Sequence, residues 1–102
     1  MADKGWIDLL HDHAPALEQQ HRADMEFLGS ATALSAREKM LIAMVLDAAA
    51  NKPNGVRAYG ERALKAGATK DQVLDALTVL RMFFGRPALV TGAEALRLFE
   101  KG

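Results

Sequence analysis

A long helical signal occupies residues 35–50, which read SAREKMLIAMVLDAAA. Ser35 and Glu38 form a capping box, because the serine side chain can accept a hydrogen bond from the N–H three residues on while the glutamate reaches back. The segment that follows is rich in apolar residues, and Asp47 is its only charge after Lys39. The pattern predicts a helix that ends with this segment and lies at the centre of the fold.

Two helices are predicted on the N-terminal side. An apolar patch over residues 6–10 indicates one or two helical turns, and Pro15 suits the first turn of a helix over residues 14–28. In that second helix the apolar side chains recur at helical spacing, and His21 lies on the same face. We expect a histidine in such surroundings to be a core or interface residue.

On the C-terminal side, the next helix begins after a short turn. The composition of residues 51–55 predicts this turn, and Asn54 is expected to be the N-cap of a helix over roughly residues 56–66. Gly67 stands where a left-handed C-terminal cap belongs. This helix therefore has a predicted signal at each end.

Two further helices complete the pattern. Thr69 and Gln72 form a second capping box, and the helix behind them is apolar on most sides until Gly85 ends it. Pro87 starts the last helix. Because no segment alternates as a half-buried strand would, we expect a single all-α domain over residues 1–102, with five to six helices. A helix that is apolar on most sides in so small a domain suggests that one face meets another subunit.

The composition excludes several classes of chemistry. The 102 residues include no cysteine, which excludes disulfide frameworks, thiolate metal sites and cysteine nucleophiles. Lysine plus arginine number 13, as do aspartate plus glutamate, so the basic excess of a nucleic-acid-binding protein is missing. Residues 1–40 hold 7 acidic and 4 basic side chains, and residues 41–102 hold 6 and 9. This asymmetry is only weak evidence for a polyanionic partner.

Location and metal binding are also constrained by the sequence. The longest apolar runs, such as residues 41–46, are far shorter than the ~20 residues of a membrane helix. The first residues lack the apolar core of a secretory signal. We therefore expect a cytoplasmic protein without a membrane partner. His11 and His13 are two residues apart and would point in different directions on a helix, so no metal site and no cofactor are expected.

Several short motifs between residues 34 and 96 are fairly specific in combination. They are Leu-Ser-Ala-Arg-Glu at 34–38, Leu-Ile at 41–42 with an alanine-rich helix ending in Asn51, Ala-Leu-Lys-Ala-Gly-Ala-Thr at 63–69, Asp-Gln-Val at 71–73 and Gly-Arg-Pro-Ala-Leu at 85–89. In these motifs the chain resembles the carboxymuconolactone decarboxylase family, which includes the alkylhydroperoxidase-D-like proteins. The resemblance implies a helical fold of the alkylhydroperoxidase-D-like type. It also implies that the chain assembles with itself into trimers or hexamers.

The redox branch of that family has a Cys-x-x-Cys pair, a histidine four residues later and a glutamate one helix earlier. One thiolate attacks a peroxide, the second resolves it as a disulfide, and the other two groups move protons. By the resemblance, these four positions correspond to Lys52, Gly55, Tyr59 and Met40. All four are replaced, so peroxide reduction by the family's cysteine route is excluded.

The decarboxylase branch also lacks the cysteines but usually keeps the histidine, which is Tyr59 here. Arg57 is compatible with that branch's pattern, and Glu94 lies where the branch tends to have a histidine. The resemblance therefore makes these three residues candidate catalytic groups: Tyr59 as a proton donor, Arg57 as a carboxylate clamp and Glu94 as a general base. The simpler roles are a packed aromatic ring, a solvated or salt-bridged arginine, and a surface pair of Glu94 with Arg97 or Arg86.

Lys52, Asn54 and His21 are the candidate ligand-binding residues. Lys52 could be a desolvated amine that attracts an anion or forms a Schiff base, whereas lysines in polar turns are mostly solvated. Asn54 is most simply the N-cap described above, and His21 a packed histidine.

Three hypotheses for the function follow. The first is an enzyme that acts on a small organic acid or lactone in a pocket between subunits, where a cationic clamp and a proton donor would support decarboxylation. The second is a non-catalytic small-molecule-binding module on the same scaffold. The third is a structural homo-oligomer whose acidic N-terminal third binds a partner.

Overall fold

Helices form nearly all of the protein between residues 3 and 100, the part that this computed structural model describes. Within that part there is no strand, which confirms the all-α prediction. The elements are α1 (Trp6–His13), α2 (Pro15–Gly29), α3 (Ala36–Ala49), α4 (Pro53–Lys65), α5 (Lys70–Gly92) and a 3₁₀ helix (Ala93–Phe99). None of these helices combines the length and the apolarity needed to cross a membrane.

Both predicted capping boxes are present. The Ser35 hydroxyl accepts from the Glu38 N–H at 3.1 Å, and the Ser35 N–H donates to the Glu38 carboxylate at 2.9 Å. This backbone hydrogen bond is the main reason why the pKa of Glu38 is lowered. Thr69 and Gln72 make the same reciprocal pair at 3.1 and 3.0 Å. An N-cap of this kind contributes about 1 kcal/mol, so α3 and α5 begin at positions that are set locally.

Left-handed residues end α3 and α4. Asn51 has a φ of 60° and Gly67 a φ of 103°. After α3, the Asn51 N–H donates to the Ala48 carbonyl at 3.1 Å and the Lys52 N–H to the Asp47 carbonyl at 2.8 Å, which is a Schellman motif. Gly67 and the residue after it form the same pair of bonds at the end of α4. The cap predicted at Gly67 is confirmed, and Asn51 plays the same part where only a turn was predicted.

Helix α4 begins at Pro53 rather than at the predicted Val56. Proline suits this first position because its ring fixes a helical φ and its missing N–H would have had no partner there. Lys52 occupies the N-cap position, and Asn54 lies inside the first turn. The prediction that Asn54 caps α4 is therefore wrong. Its side chain instead accepts from Arg57 at 3.2 Å.

The C-terminal helical region is interrupted at Gly85, as predicted. Gly85 has φ 78° and ψ −168°, a left-handed conformation that glycine adopts without steric cost. Helical geometry resumes near Pro87, and the α-helix ends at Gly92. Residues 93–99 then continue as a 3₁₀ helix, where the sequence had predicted one uninterrupted last helix.

The main core lies between α3, α4, α5 and the 3₁₀ helix. Met44, Val56 and Val73 are its largest fully buried side chains. Helix α3 packs on α2, α4 and α5, which confirms its central position. A Cβ on Gly92 would lie 2.8 Å from a methyl carbon of Leu77, so glycine allows the second half of α5 to fold back against the first half.

Helices α1 and α2 form a hairpin at the edge of the fold. Among the described elements, α1 packs on α2 alone, and α2 packs in turn on α3. Glu18, a buried residue of α2, lies 3.2 Å from His11 Nδ1 and 2.6 Å from Arg22 Nη2. The hydrogen bond with His11, followed by the charge of Arg22, lowers the pKa of Glu18. This carboxylate therefore joins the two helices of the hairpin.

Candidate functional site

Three of the candidate residues, Asn54, Arg57 and Glu94, meet on one side of α4. Arg57 Nε lies 3.5 Å from Glu94 Oε1, and Arg57 Nη2 donates to Asn54 Oδ1 at 3.2 Å. Arg97 Nε donates to both oxygens of Glu94 at 2.8 and 2.9 Å. Two guanidinium groups thus surround one carboxylate, and the cluster keeps one positive charge that could attract an anion.

A cavity of about 240 Å³ lies between the carboxyl end of α3 and the second half of α5. It is lined by Ala48, Ala49, Asn51, Pro87, Ala88 and Thr91. The Thr91 hydroxyl donates to Asn51 Oδ1 at 2.9 Å, and the exposed Lys52 follows Asn51 directly. The unpaired N–H groups at the start of a helix favour negative charge. Asn51 and Thr91 were not candidates, because residues 40 positions apart in the chain leave no local signal of their contact.

Asp47 was also not predicted as part of this region. A Cβ built on Gly55 would lie 1.9 Å from Asp47 Oδ2, so the carboxylate of α3 lies directly against the first turn of α4. Negative charge is favourable at that end of a helix. The signal in the sequence was that Asp47 is a lone charge in an apolar helix, one turn before the α3–α4 connection.

Tyr59 does not join this cluster. Its hydroxyl donates to the Met25 sulfur at 3.9 Å, and its ring packs against both buried clusters of the core. The Arg62 guanidinium lies 5.2 Å from the ring centroid. Residues two apart on a helix do not face each other, so Tyr59 and Arg57 point to different sides of α4.

His21 lies in a third place, on α2. Its ring makes an edge-on contact with Trp6, with centroids 4.7 Å apart and an interplanar angle of 72°. The contact packs α1 on α2. His21 therefore does not join the Arg57–Glu94 pair, and it lies one helical turn before Met25, the α2 residue that contacts Tyr59.

Lys39, which is buried on α3, is a further polar residue that was not predicted. Its Nζ donates to the carbonyls of Phe27 and Ser30 at 2.9 and 3.1 Å, and lies 3.5 Å from the centroid of the Phe27 ring. It thus supplies the positive charge that the carboxyl end of α2 favours. Lys39 precedes Ile42 and Leu46 at helical spacing, and that position on an apolar stripe was its signal in the sequence.

The stem of Lys39 helps to line an apolar groove of about 210 Å³ between α2 and α3. We call it the α2–α3 groove. Its other principal lining residues are Phe27, Leu28, Leu34, Ile42 and Leu46. The groove could hold only an apolar group, because hydrocarbon forms its walls.

Comparison with known proteins identifies the scaffold. The model of the carboxymuconolactone decarboxylase family matches residues 15–98, which include every described element except α1 and the last residue of the 3₁₀ helix. No curated protein and no solved structure matches the chain. The family model covers far more than half of the chain and agrees with its helical fold. The chain therefore belongs to the carboxymuconolactone decarboxylase family.

Proposed function

We propose that the chain is a cytoplasmic homo-oligomer that binds and transforms a small organic acid or lactone, by a decarboxylase or lyase type of reaction. The pocket would be completed by a second copy. The observation that carries the proposal is the pairing of Arg57 with Glu94 beside Asn54, at the start of α4. Membership of the family supports the scaffold, and the lack of cysteine excludes its thiol peroxidase chemistry.

Positively charged side chains would bind the carboxylate group of the ligand. The planar guanidinium of Arg57 can donate two parallel hydrogen bonds to it. Lys52 adds a cation at the N-cap of the same helix. Arg57 can turn from Glu94 to the ligand at small cost, because Arg97 still holds both oxygens of Glu94.

A decarboxylation also needs a proton donor near the developing carbanion. Glu94, a carboxylate paired with Arg57 and Arg97, is our candidate general base on this side of α4, and the proton for the carbanion would come from solvent water. Any proton that Glu94 takes up weakens its pair with Arg97. Tyr59 would contribute only to a ligand that enters between α2 and α4, because its hydroxyl contacts Met25.

A second copy is needed because the Arg57 side chain is exposed to solvent in a single subunit. The side chain of Arg57 is 49 % exposed, and ion pairs in water contribute little because solvent screens them. A second copy that covers this surface would exclude water and strengthen the clamp. Exposed apolar side chains on α5, such as Met82, Phe83 and Phe84, support such self-assembly because patches of this kind mark interfaces. A trimer or hexamer is the expected state.

Calorimetric titration with a panel of small carboxylic acids and lactones tests the site. Arg57→Ala should weaken binding of the carboxylic acids by about 1.5–3 kcal/mol, the usual contribution of a hydrogen bond to a charged group. Arg81→Ala, an exposed arginine on α5, is the matched control and should leave affinity unchanged. If Arg57→Ala binds every acid as tightly as the unchanged chain, the proposed site is wrong. Native mass spectrometry gives the number of subunits and the mass of any bound molecule.

A non-catalytic small-molecule-binding or structural homo-oligomer is the second candidate. Two observations favour it: the hydroxyl of Tyr59 is engaged with Met25, and the α2–α3 groove is lined by hydrocarbon. A molecule that copurifies, is released on denaturation and is recovered unchanged after long incubation would support this alternative over the enzyme.

A further inference from the structure

Helix α3 carries an apolar ridge on the side opposite its buried residues. Met40, Met44 and Ala48 are buried in the core, whereas Ile42 and Leu46 are 45 % and 60 % exposed. Residues two apart on a helix point to nearly opposite sides, and residues four apart lie in one row. Ile42 and Leu46 therefore form a ridge on the solvent side of α3.

A groove lies on each side of this ridge. On one side is the α2–α3 groove of about 210 Å³, whose lining includes Phe27 and Leu34. On the other side, a groove of about 220 Å³ lies between α3 and α5, and we call it the α3–α5 groove. It is lined by Leu41, Ile42, Val45, Ala76 and Val79. Ile42 lines both grooves, so the ridge separates them.

Phe83 extends this apolar surface along α5. The α3–α5 groove is lined by Val45 on α3 and by Val79 on α5. The cavity farther along is lined by Ala49 and Pro87, so the two helices run in the same direction. Phe83 is one helical turn after Val79 on the same side, and it is 79 % exposed. We call the whole surface the α3 face, and its exposed members are Phe27, Leu34, Ile42, Leu46, Val79 and Phe83.

The grooves of the α3 face lack exposed charge. Among residues 3–100, the one charged residue that lines either groove is Lys39, and its buried ammonium group is bound to the carbonyls of Phe27 and Ser30. In a contact between two identical surfaces, a charge near the symmetry axis meets its own copy, which costs free energy. A face without such charges therefore suits a second copy of the chain. It offers an acidic or basic partner no opposite charge.

The shape of the α3 face also fits itself. Helices pack when the ridge of one enters the groove of another. A ridge beside a groove is self-complementary about a two-fold axis that runs between them along α3. About such an axis, the ridge of each copy enters the α3–α5 groove of the other, and Leu46 lies next to its own copy. The α2 side of one face then reaches the α5 side of the other.

The area of the α3 face is that of a stable interface. Its six exposed side chains, each 42–79 % exposed, would bury on the order of 100 Å² each, about half of the roughly 150–250 Å² of a whole large side chain. Two copies would then bury about 1,200 Å², where the range of roughly 1,200–2,000 Å² for specific interfaces begins. Ala43 and Val45, which line the grooves and are partly exposed, add to this area.

We infer that the α3 face is a two-fold interface between two copies of the chain, in which the ridge of Ile42 and Leu46 enters the α3–α5 groove of the other copy. The inference rests on the proposed self-assembly and specifies one of its contacts. Because the ridge points away from the buried side of α3, which packs on α4, this contact is separate from the one that would cover Arg57. A two-fold contact here and a three-fold contact there would together generate a hexamer.

Substitutions at Leu46 test the interface by native mass spectrometry. Leu46→Asp and Leu46→Lys each place like charges beside the two-fold axis, and each should halve the number of subunits. The matched controls Val90→Asp and Val90→Lys, at an exposed apolar residue outside both grooves, should keep that number. Circular dichroism verifies that all four variants fold. If Leu46→Asp keeps every subunit, the inference is overturned and self-assembly through another contact stands. An unchanged chain that is monomeric overturns both.

Mixing the two Leu46 variants tests the symmetry. In a mixed pair the new carboxylate of one copy faces the new ammonium group of the other, so the full number of subunits should return, with one copy of each mass per pair. Failure to recover it overturns the two-fold contact. Binding of the unchanged chain to phosphatidylcholine vesicles that both Leu46 variants lose, and that mixing does not restore, would assign the face to a lipid surface instead and overturn the inference.

Discussion

Replacement of Gly55 by alanine tests the contact between α3 and α4 at the candidate site. The new Cβ would lie 1.9 Å from Asp47 Oδ2 and 2.7 Å from Asp47 Cγ. Asp47 must then rotate away, and its carboxylate leaves the first turn of α4. We expect Gly55→Ala to destabilise the protein, although alanine is a better helix former than glycine.

The magnitude follows from opposing contributions to the free energy of unfolding. Alanine in place of glycine favours a helix by about 1 kcal/mol. Crowding in a packed contact typically costs about 1–3 kcal/mol, and the carboxylate's interaction with the helix end contributes about 0.3–1 kcal/mol. Asp47 Cβ, at 3.2 Å from the new Cβ, does not move when the side chain rotates. Crowding therefore outweighs propensity, and the net destabilisation should be about 1–2 kcal/mol.

A double-mutant cycle measures this contact. Urea unfolding is followed by far-UV circular dichroism for the unchanged chain, Gly55→Ala, Asp47→Ala and the double variant. In the Asp47→Ala background, Gly55→Ala should change the free energy of unfolding by less than about 0.5 kcal/mol, because the carboxylate is gone and only the Cβ at 3.2 Å still crowds the new methyl group. The coupling energy should be about 1–2 kcal/mol. If Gly55→Ala is as stable as the unchanged chain while Asp47 is present, the reasoning is refuted.

Two further predictions concern charges elsewhere. Lys39→Met should lower the free energy of unfolding by about 1–3 kcal/mol, because the carbonyls of Phe27 and Ser30 lose a charged donor. The exposed Lys65→Met should change it by less than about 0.5 kcal/mol, and urea unfolding of both variants makes the comparison. The lowered pKa of Glu18 means that its contribution to stability is present above the ordinary value of 4.5 and is lost as pH falls through the lower folded value. In Glu18→Gln, the free energy of unfolding should depend less on pH below 4.5. An unchanged dependence would contradict the stabilising role of the Glu18 carboxylate.

Local signals in the sequence predicted the helices well. The capping box of Ser35 and Glu38 and the left-handed cap at Gly67 depend on residues within one helical turn, and both are present. The start of α4 was misplaced because Asn54 and Pro53 are both helix-start residues. Proline is favoured in the first helical position because it has no N–H to donate farther inside the helix. Asparagine has no such restriction and can lie inside the first turn.

The arrangement of the candidate site could not be predicted in the same way. Arg57 and Glu94 are far apart in sequence, and they meet because the 3₁₀ helix packs on α4. The contact between Asp47 and Gly55 likewise depends on how closely α3 approaches α4. Residue types indicated which groups could do chemistry, but only tertiary packing determines which of them share a surface.

The positions that correspond by resemblance to the redox site have become part of the packing. Met40 is buried in a cluster with Ala63, and the ring of Tyr59 packs against that cluster. At Gly55, the space for a side chain is filled by the carboxylate of Asp47. Because Tyr59 points toward α2 and Arg57 toward the 3₁₀ helix, a histidine restored at position 59 would face Met25 and not the Arg57–Glu94 pair. The chemistry that we propose is therefore centred on the Arg57 side of α4, and a histidine at position 59 alone would not add to it.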